Sequence, residues 1–183
     1  TLNPGGVDNS PLHELCKNID VPFYEIQTDI KEIVFDIKKE KNPCSLCANL
    51  RRGALNDNAE KLGCNKVALG HHKDDALETL MLSISYEGRI NCFSPKSFMH
   101  KNNLTLIRPM VFIEESQIRK AVAEYNFPVK NPCPADGKTK REDMKNLIRS
   151  LDKTMPGFKK NLFKSLTNTD QMFVWDKEIV KKM

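Results

Sequence analysis

No run of apolar residues in this 183-residue chain approaches the ~18 that a membrane-spanning helix requires, and no secretory-signal pattern opens it. These absences argue against a membrane helix and remove the usual reason to expect disulfides, so the cytoplasm is the expected compartment. A second C-x-x-C is also lacking: Cys44-Ser45-Leu46-Cys47 stands alone, and a structural zinc site built on it would be short of its four ligands. There is no internal repeat and no low-complexity segment.

What the chain does contain is ordinary for a soluble domain: 39% hydrophobic and 29% charged residues, enough to bury a substantial core. The formal charge of +5 is modest but uneven. Residues 138–164 carry nine basic side chains against three acidic ones, so this segment alone supplies the positive excess. Such a patch fits either a nucleic-acid footprint or a solvated helical face.

Hydrophobic periodicity sets out the elements. Val21 to Gln27 reads as a strand, followed by a helical pattern at Ile30, Ile33, Val34 and Ile37. A helix then buries Leu50, Ala54, Leu55 and Leu62 and closes at Gly63. "KVALG" is a short buried strand, and "HHKDDALETLMLSISYEG" a helix burying Ala76, Leu77, Leu80, Met81 and Ile84. Residues 92–108 form a hairpin turning near "HKNN". Ser116 caps a helix burying Ile118, Ala121, Val122 and Tyr125. Beyond the Pro-rich "FPVKNPCPADGK", two helices carry stripes at Met144, Leu147, Ile148, Leu151 and at Phe158, Leu162, Phe163, Leu166. Alternating strands and helices predict an α/β fold with a parallel sheet, whose ligands gather beyond the carboxyl ends of the strands.

That rule directs attention to the loop before Cys44 and to the "GHHKDD" turn. Cys44 and Cys47 stand at a helix start, where amide dipoles favour thiolates, and fit half a zinc site, a redox dithiol or part of an iron-sulfur site. Cys133, between two prolines, could be a third thiolate, and three suffice for a four-iron cluster with one open iron. Cys16, Cys64 and Cys92 read as packing residues. In "GHHKDD", Asp75 with Glu78 makes a capping box; equally, Asp74 or Asp75 could hold Mg²⁺ or orient a nucleotide while His71 or His72 meets substrate. Arg51 and Arg52 are either exposed helix arginines or guanidiniums serving the cysteine site. "PGGVDNS" at residues 4–10 imitates a pyrophosphate-binding S-G-G-x-D-S loop, but the three residues before it cannot form the buried strand such a loop needs. It reads as a strand-to-helix loop.

Taken together, "CSLCANLRRGAL", "KVALGHHKDDALETL", "LIRPM" and "NPCPADG" resemble the PP-loop ATPases that thiolate tRNA, most closely the tRNA 2-thiocytidine synthetase (TtcA) family. The resemblance runs from the first strand to about Asn168. It implies a Rossmann-like, adenine nucleotide alpha hydrolase-like sheet flanked by helices over residues 1–128. A third-cysteine loop and basic helical extension would follow over 129–183. The implied activity is ATP-dependent adenylation of C2 of an anticodon-loop cytidine, followed by replacement of its oxygen with sulfur by way of a 4Fe-4S cluster. By the same resemblance Cys44, Cys47 and Cys133 would hold the cluster, with Arg51 beside it. Gly70, His71, Asp74 and Asp75 would lie beside ATP and Mg²⁺, Asp74 and Arg51 serving catalysis, and Arg108 would line the pocket. Arg52, Lys138, Lys140, Arg141 and Lys145 would meet tRNA phosphates. A sulfur donor such as a cysteine desulfurase and a homodimer are family expectations, with no membrane partner. The family's pyrophosphate loop would lie upstream of Thr1, making "PGGVDNS" a decoy and leaving the chain without its first βα unit.

Two other readings fit some of these residues. A tRNA-lysidine synthetase adenylates the same atom but has no use for three cysteines. A zinc-stabilised, non-catalytic RNA-binding module would use the three cysteines and a histidine.

Overall fold

In the computed structural model, residues 2–3, 8–38, 43–128, 139–168 and 170 are described. Strand β1 (Leu2–Asn3) pairs in parallel with β2 (Ile26–Gln27). Strand β3 (Lys66–Ala68) pairs in parallel with β5 (Leu104–Ile107), whose other edge takes β4 (Lys96–Met99) antiparallel. The helices are α1 (Ser10–Asn18), α2 (Pro43–Lys61), α3 (Lys73–Glu87), α4 (Glu115–Glu124), α5 (Lys140–Thr154) and α6 (Phe158–Thr167). The α/β expectation holds, with the predicted hairpin supplying the antiparallel edge.

Contacts divide the chain into two compact units. The first comprises Thr1–Gly70, Pro95–Pro109 and Glu115–Gly137, and holds both sheets with α1, α2 and α4. The second comprises His71–Ser94, Met110–Glu114 and Lys138–Met183, and holds α3, α5 and α6. The units interleave along the sequence.

In the first unit, the period-two pattern of β5 turns Leu104 and Leu106 inward to join Val67 of β3. Leu55 and Ala59, one turn apart on α2, pack on this cluster together with Leu69 and Met99. Burying Leu104, 1% exposed, contributes about 1.5–3 kcal/mol. In the second unit α3 packs against α5 and α6, and Ala76, Leu77, Leu80, Met144 and Ile148 are buried.

Several predicted details change for identifiable reasons. The strand expected from Val21 shrinks to Ile26–Gln27, because the Val21 amide donates to the Cys16 carbonyl in closing α1 and Pro22 has no amide to donate. The helix expected around Ile30–Ile37 becomes a π-helix over Glu32–Ile37, with the Lys38 amide donating to the Ile33 carbonyl. Ile30 and Val34 are buried there, but Ile37 is exposed. Ser116 lies inside α4 rather than capping it; the half-buried Ile118, Ala121 and Val122 form a shallow contact, and Tyr125 is exposed. On α3, Ser83 is buried in place of Ile84. Leu62 and Leu147 are exposed as well. Cys64, expected to pack, is exposed, just past the Gly63 turn whose positive φ ends α2 as foreseen.

Candidate functional site

The turn leaving β3 runs through Leu69, the exposed Gly70 and His71 to His72, which caps α3. The His72 amide donates to Asp75 Oδ2 at 2.9 Å, and the Asp75 amide donates to His72 Nδ1 at 3.4 Å. The capping box is therefore His72 with Asp75, not Asp75 with Glu78 as the sequence suggested. An imidazole replaces the usual hydroxyl, a substitution that capping statistics do not anticipate. The His71 ring lies 4.9 Å from the Phe93 ring, tilted 47° to it.

Four charged side chains alternate beside this turn. Lys159 Nζ of α6 lies 2.7 Å from Asp74 Oδ1 and 3.5 Å from Glu114 Oε2, while Lys73 Nζ donates to Glu114 Oε1 at 2.9 Å. Burial acts to depress the Lys159 ammonium, but the hydrogen bond and charge of Asp74, then those of Glu114, outweigh it and raise its pKa. Glu114 is held below the usual carboxylate range, chiefly by the Lys73 hydrogen bond. Lys73 Nζ also sits 5.1 Å from the centre of the Phe163 ring.

One turn along α3, Glu78 is buried and receives Arg141 of α5. The guanidinium donates through Nη1 to Glu78 Oε2 at 3.0 Å and through Nη2 to Thr79 Oγ1 at 3.2 Å, with Asp75 Oδ1 3.6 Å from Nη1. Desolvation pushes the Glu78 pKa up, and Arg141 opposes it. Arg141, predicted to meet RNA, is thus engaged by α3. Lys140 lies over the Tyr86 ring at 4.1 Å, Lys145 is half-buried, and Arg52 is exposed.

In the first unit, Cys44 (exposed), Cys47 (half-buried) and Arg51 (exposed) occupy positions i, i+3 and i+7 of α2, so they share one face beginning on its first turn. Two sulfur donors therefore stand at the positive end of a helix with a guanidinium a turn below. The half-buried Arg108 follows β5, its amide donating to the Pro95 carbonyl at 2.9 Å. Cys133 and Lys138 lie outside the described residues. Among the described residues, no group of three or more His, Cys, Asp or Glu is arranged to hold a metal ion, and no helix is long and apolar enough to cross a membrane.

The sequence pattern does not single out Lys159, Glu114 and Lys73 as site residues. Lys159 counted there only as one of nine basic residues, and nothing in the local pattern distinguishes it from Lys160.

The profile of the PP-loop domain family matches residues 6–150. The chain belongs to the PP-loop family. Among curated proteins, it is 36% identical over 177 residues to the tRNA-cytidine(32) 2-sulfurtransferase of Paraburkholderia phytofirmans, a match covering 95% of this chain and 53% of that protein. It is 39% identical over 153 residues to the protein of the same name from Geobacter sulfurreducens, covering 79% of this chain and 60% of the relative. This PP-loop chain thus spans a little over half the length of those relatives. Among solved structures, the U34-tRNA thiolase NcsA from Methanococcus maripaludis with its [4Fe-4S] cluster superposes with a TM-score of 0.73 at 22% identity, over 96% of this chain and 63% of that one. That similarity bears on the fold, and agrees with the α/β architecture described above.

Proposed function

We propose that this PP-loop chain belongs to an ATP-dependent enzyme that thiolates tRNA, adenylating C2 of an anticodon-loop cytidine and replacing its oxygen with sulfur. The observation that carries this reading is the Cys44–Cys47–Arg51 face at the start of α2 in a PP-loop chain. The relatives' name, tRNA-cytidine(32) 2-sulfurtransferase, and the [4Fe-4S] cluster of NcsA support the substrate and cofactor chemistry.

The donor sets suit the groups this chemistry needs. Thiolates are the ligands of iron-sulfur clusters, and Cys44, Cys47 and Cys133 would hold a 4Fe-4S cluster. When bound, it would supply an iron without a protein ligand at which sulfide can be held. Carboxylates are the hard donors Mg²⁺ prefers, and that ion commonly leans on one or two of them while waters and phosphates complete its shell. Asp74 would be that ligand, with Asp75, Gly70, His71 and Arg108 beside the nucleotide.

Activation would join the C2 oxygen of the cytidine to the α-phosphorus of ATP, breaking the α–β anhydride and releasing pyrophosphate. Sulfur would then add at C2 as the C–O bond breaks, with AMP carrying the oxygen away. Arg51 would stabilise negative charge developing beside the cysteine site. Arg52, Lys138, Lys140 and Lys145 would position tRNA phosphates, a salt-sensitive and sequence-blind contribution, while Arg141 would serve RNA only indirectly. The α/β portion to residue 128 would carry the chemistry and residues 129–183 the third cysteine and RNA-facing helices. A cysteine desulfurase would act as sulfur donor, a second copy as dimer partner, and the cytoplasm as the setting.

The test is anaerobic reconstitution with iron and sulfide, followed by a visible spectrum and iron and sulfide counts for the wild type, Cys44→Ser, Cys47→Ser and Cys133→Ala. Iron-sulfide charge-transfer absorption, lost in all three variants, is the expected result. One tightly held zinc and no cluster would instead favour the non-catalytic RNA-binding module.

A further inference from the structure

We infer that Lys159 is a positioning residue of the α3 site: its ammonium occupies the Asp74 carboxylate as a resident cation, and a divalent metal ion reaching Asp74 must displace it. This rests on the nucleotide-site reading of Asp74 given above. Lys159 Nζ is 2.7 Å from Asp74 Oδ1, and the two side chains are 24% and 18% exposed, so they form a partly desolvated contact rather than a surface pair. A cation already seated on a carboxylate competes directly with any metal ion for the same oxygen.

The geometry also gives the displaced ammonium somewhere to go. Glu114 Oε2 already lies 3.5 Å from Lys159 Nζ, and Glu114 is anchored from its other oxygen by Lys73 at 2.9 Å. Lys159 therefore stands between two anions within reach, and loss of Asp74 does not strand it without a counter-charge. Lys73 is a poorer candidate for the same role. Its backbone amide is tied to the Ile113 carbonyl at 2.9 Å and its ammonium to Glu114 and the Phe163 ring. The origin of Lys159 matters as well. It comes from α6, whose first turn is held by the Lys159 amide donating to Asp152 Oδ1 at 2.9 Å. Metal arrival at Asp74 would thus loosen one tether between α3 and a helix of the basic segment.

The experiment measures Mn²⁺ alone, by electron paramagnetic resonance of the free ion, against wild type, Lys159→Met, Lys159→Arg and Asp74→Asn. Removing a competing cation worth slightly more than an exposed ion pair tightens Mn²⁺ binding about tenfold in Lys159→Met. Lys159→Arg keeps the charge and stays near wild type. The gain disappears when Lys159→Met is combined with Asp74→Asn. Unchanged or weaker binding in Lys159→Met, a gain that survives loss of the Asp74 carboxylate, or no Mn²⁺ binding in any protein would each overturn the inference. Should Lys159→Met fail to fold, amine acetylation of the wild type read by mass spectrometry decides. Lys159 is expected to become more reactive on Mg²⁺ addition relative to Lys153 and Lys160, and no change refutes displacement. Neither readout involves the cysteines or tRNA, so failure here is distinguishable from failure of the thiolation reading.

Discussion

Replacing Arg141 by Met tests whether α5 is held on α3 by charge. Glu78 is 6% exposed at its side chain and its carboxylate meets Arg141 Nη1 at 3.0 Å. Removing one member of a fully buried pair costs about 3–5 kcal/mol, because the other charge is left desolvated. Arg141 is 44% exposed, so water reaches the pair and part of that cost is screened. We therefore expect Arg141→Met to destabilise by about 2 kcal/mol at neutral pH, lowering the melting temperature by about 4–8 °C for a chain of this size. The sign of the pH dependence follows from Glu78, whose folded-state pKa is raised. Such a group favours the folded state when protonated and disfavours it as pH rises from the unfolded value through the folded one. Loss of Arg141 raises the folded value further, so the destabilisation shrinks as pH falls toward 5. Urea unfolding at pH 7 and pH 5, with Glu78→Gln alone and combined, measures this as a double-mutant cycle. Additive effects, or a destabilisation that does not change with pH, would refute the reasoning.

Further outcomes follow from the same structure. The Glu114 pKa is lowered and that of Lys159 raised, so their contribution is present between about pH 4.5 and 10.5, lost below as Glu114 protonates and above as Lys159 deprotonates. Urea midpoints against pH should therefore fall off less steeply on the acid side in Glu114→Gln. Gly88 caps α3 at φ +63 with nothing within 4 Å of an added Cβ, so Gly88→Ala should cost about 1 kcal/mol through the backbone alone, and Gly88→Asn less, by calorimetry. Cys64→Ser, at an exposed thiol away from the Cys44–Cys47 face, should leave reconstituted iron and sulfide counts at the wild-type level.

The sequence by itself determined the element order and family. Period-two alternation marked β5, Gly63 and Gly88 carried the positive φ that ends their helices, and the C-x-x-C and G-H-H-x-D-D motifs drew attention to two candidate sites. These features are local, because spacing along one helix or strand is enough to say which side chains share a face. Local pattern failed in detail where one nearby backbone bond outcompeted another or where packing left a side chain uncovered. The Val21 amide went to closing α1, the helix around Val34 widened into a π-turn, and Cys64 found no cover. The partners of the site carboxylates, by contrast, are far away in the chain. Lys159, Lys160 and Lys164 are equivalent as letters, and Arg141 reads as one more basic residue, until α5 and α6 pack on α3. Only that packing sets one ammonium on Asp74 and one guanidinium on Glu78, because ion pairing decays over a few ångströms and chain separation says nothing about distance.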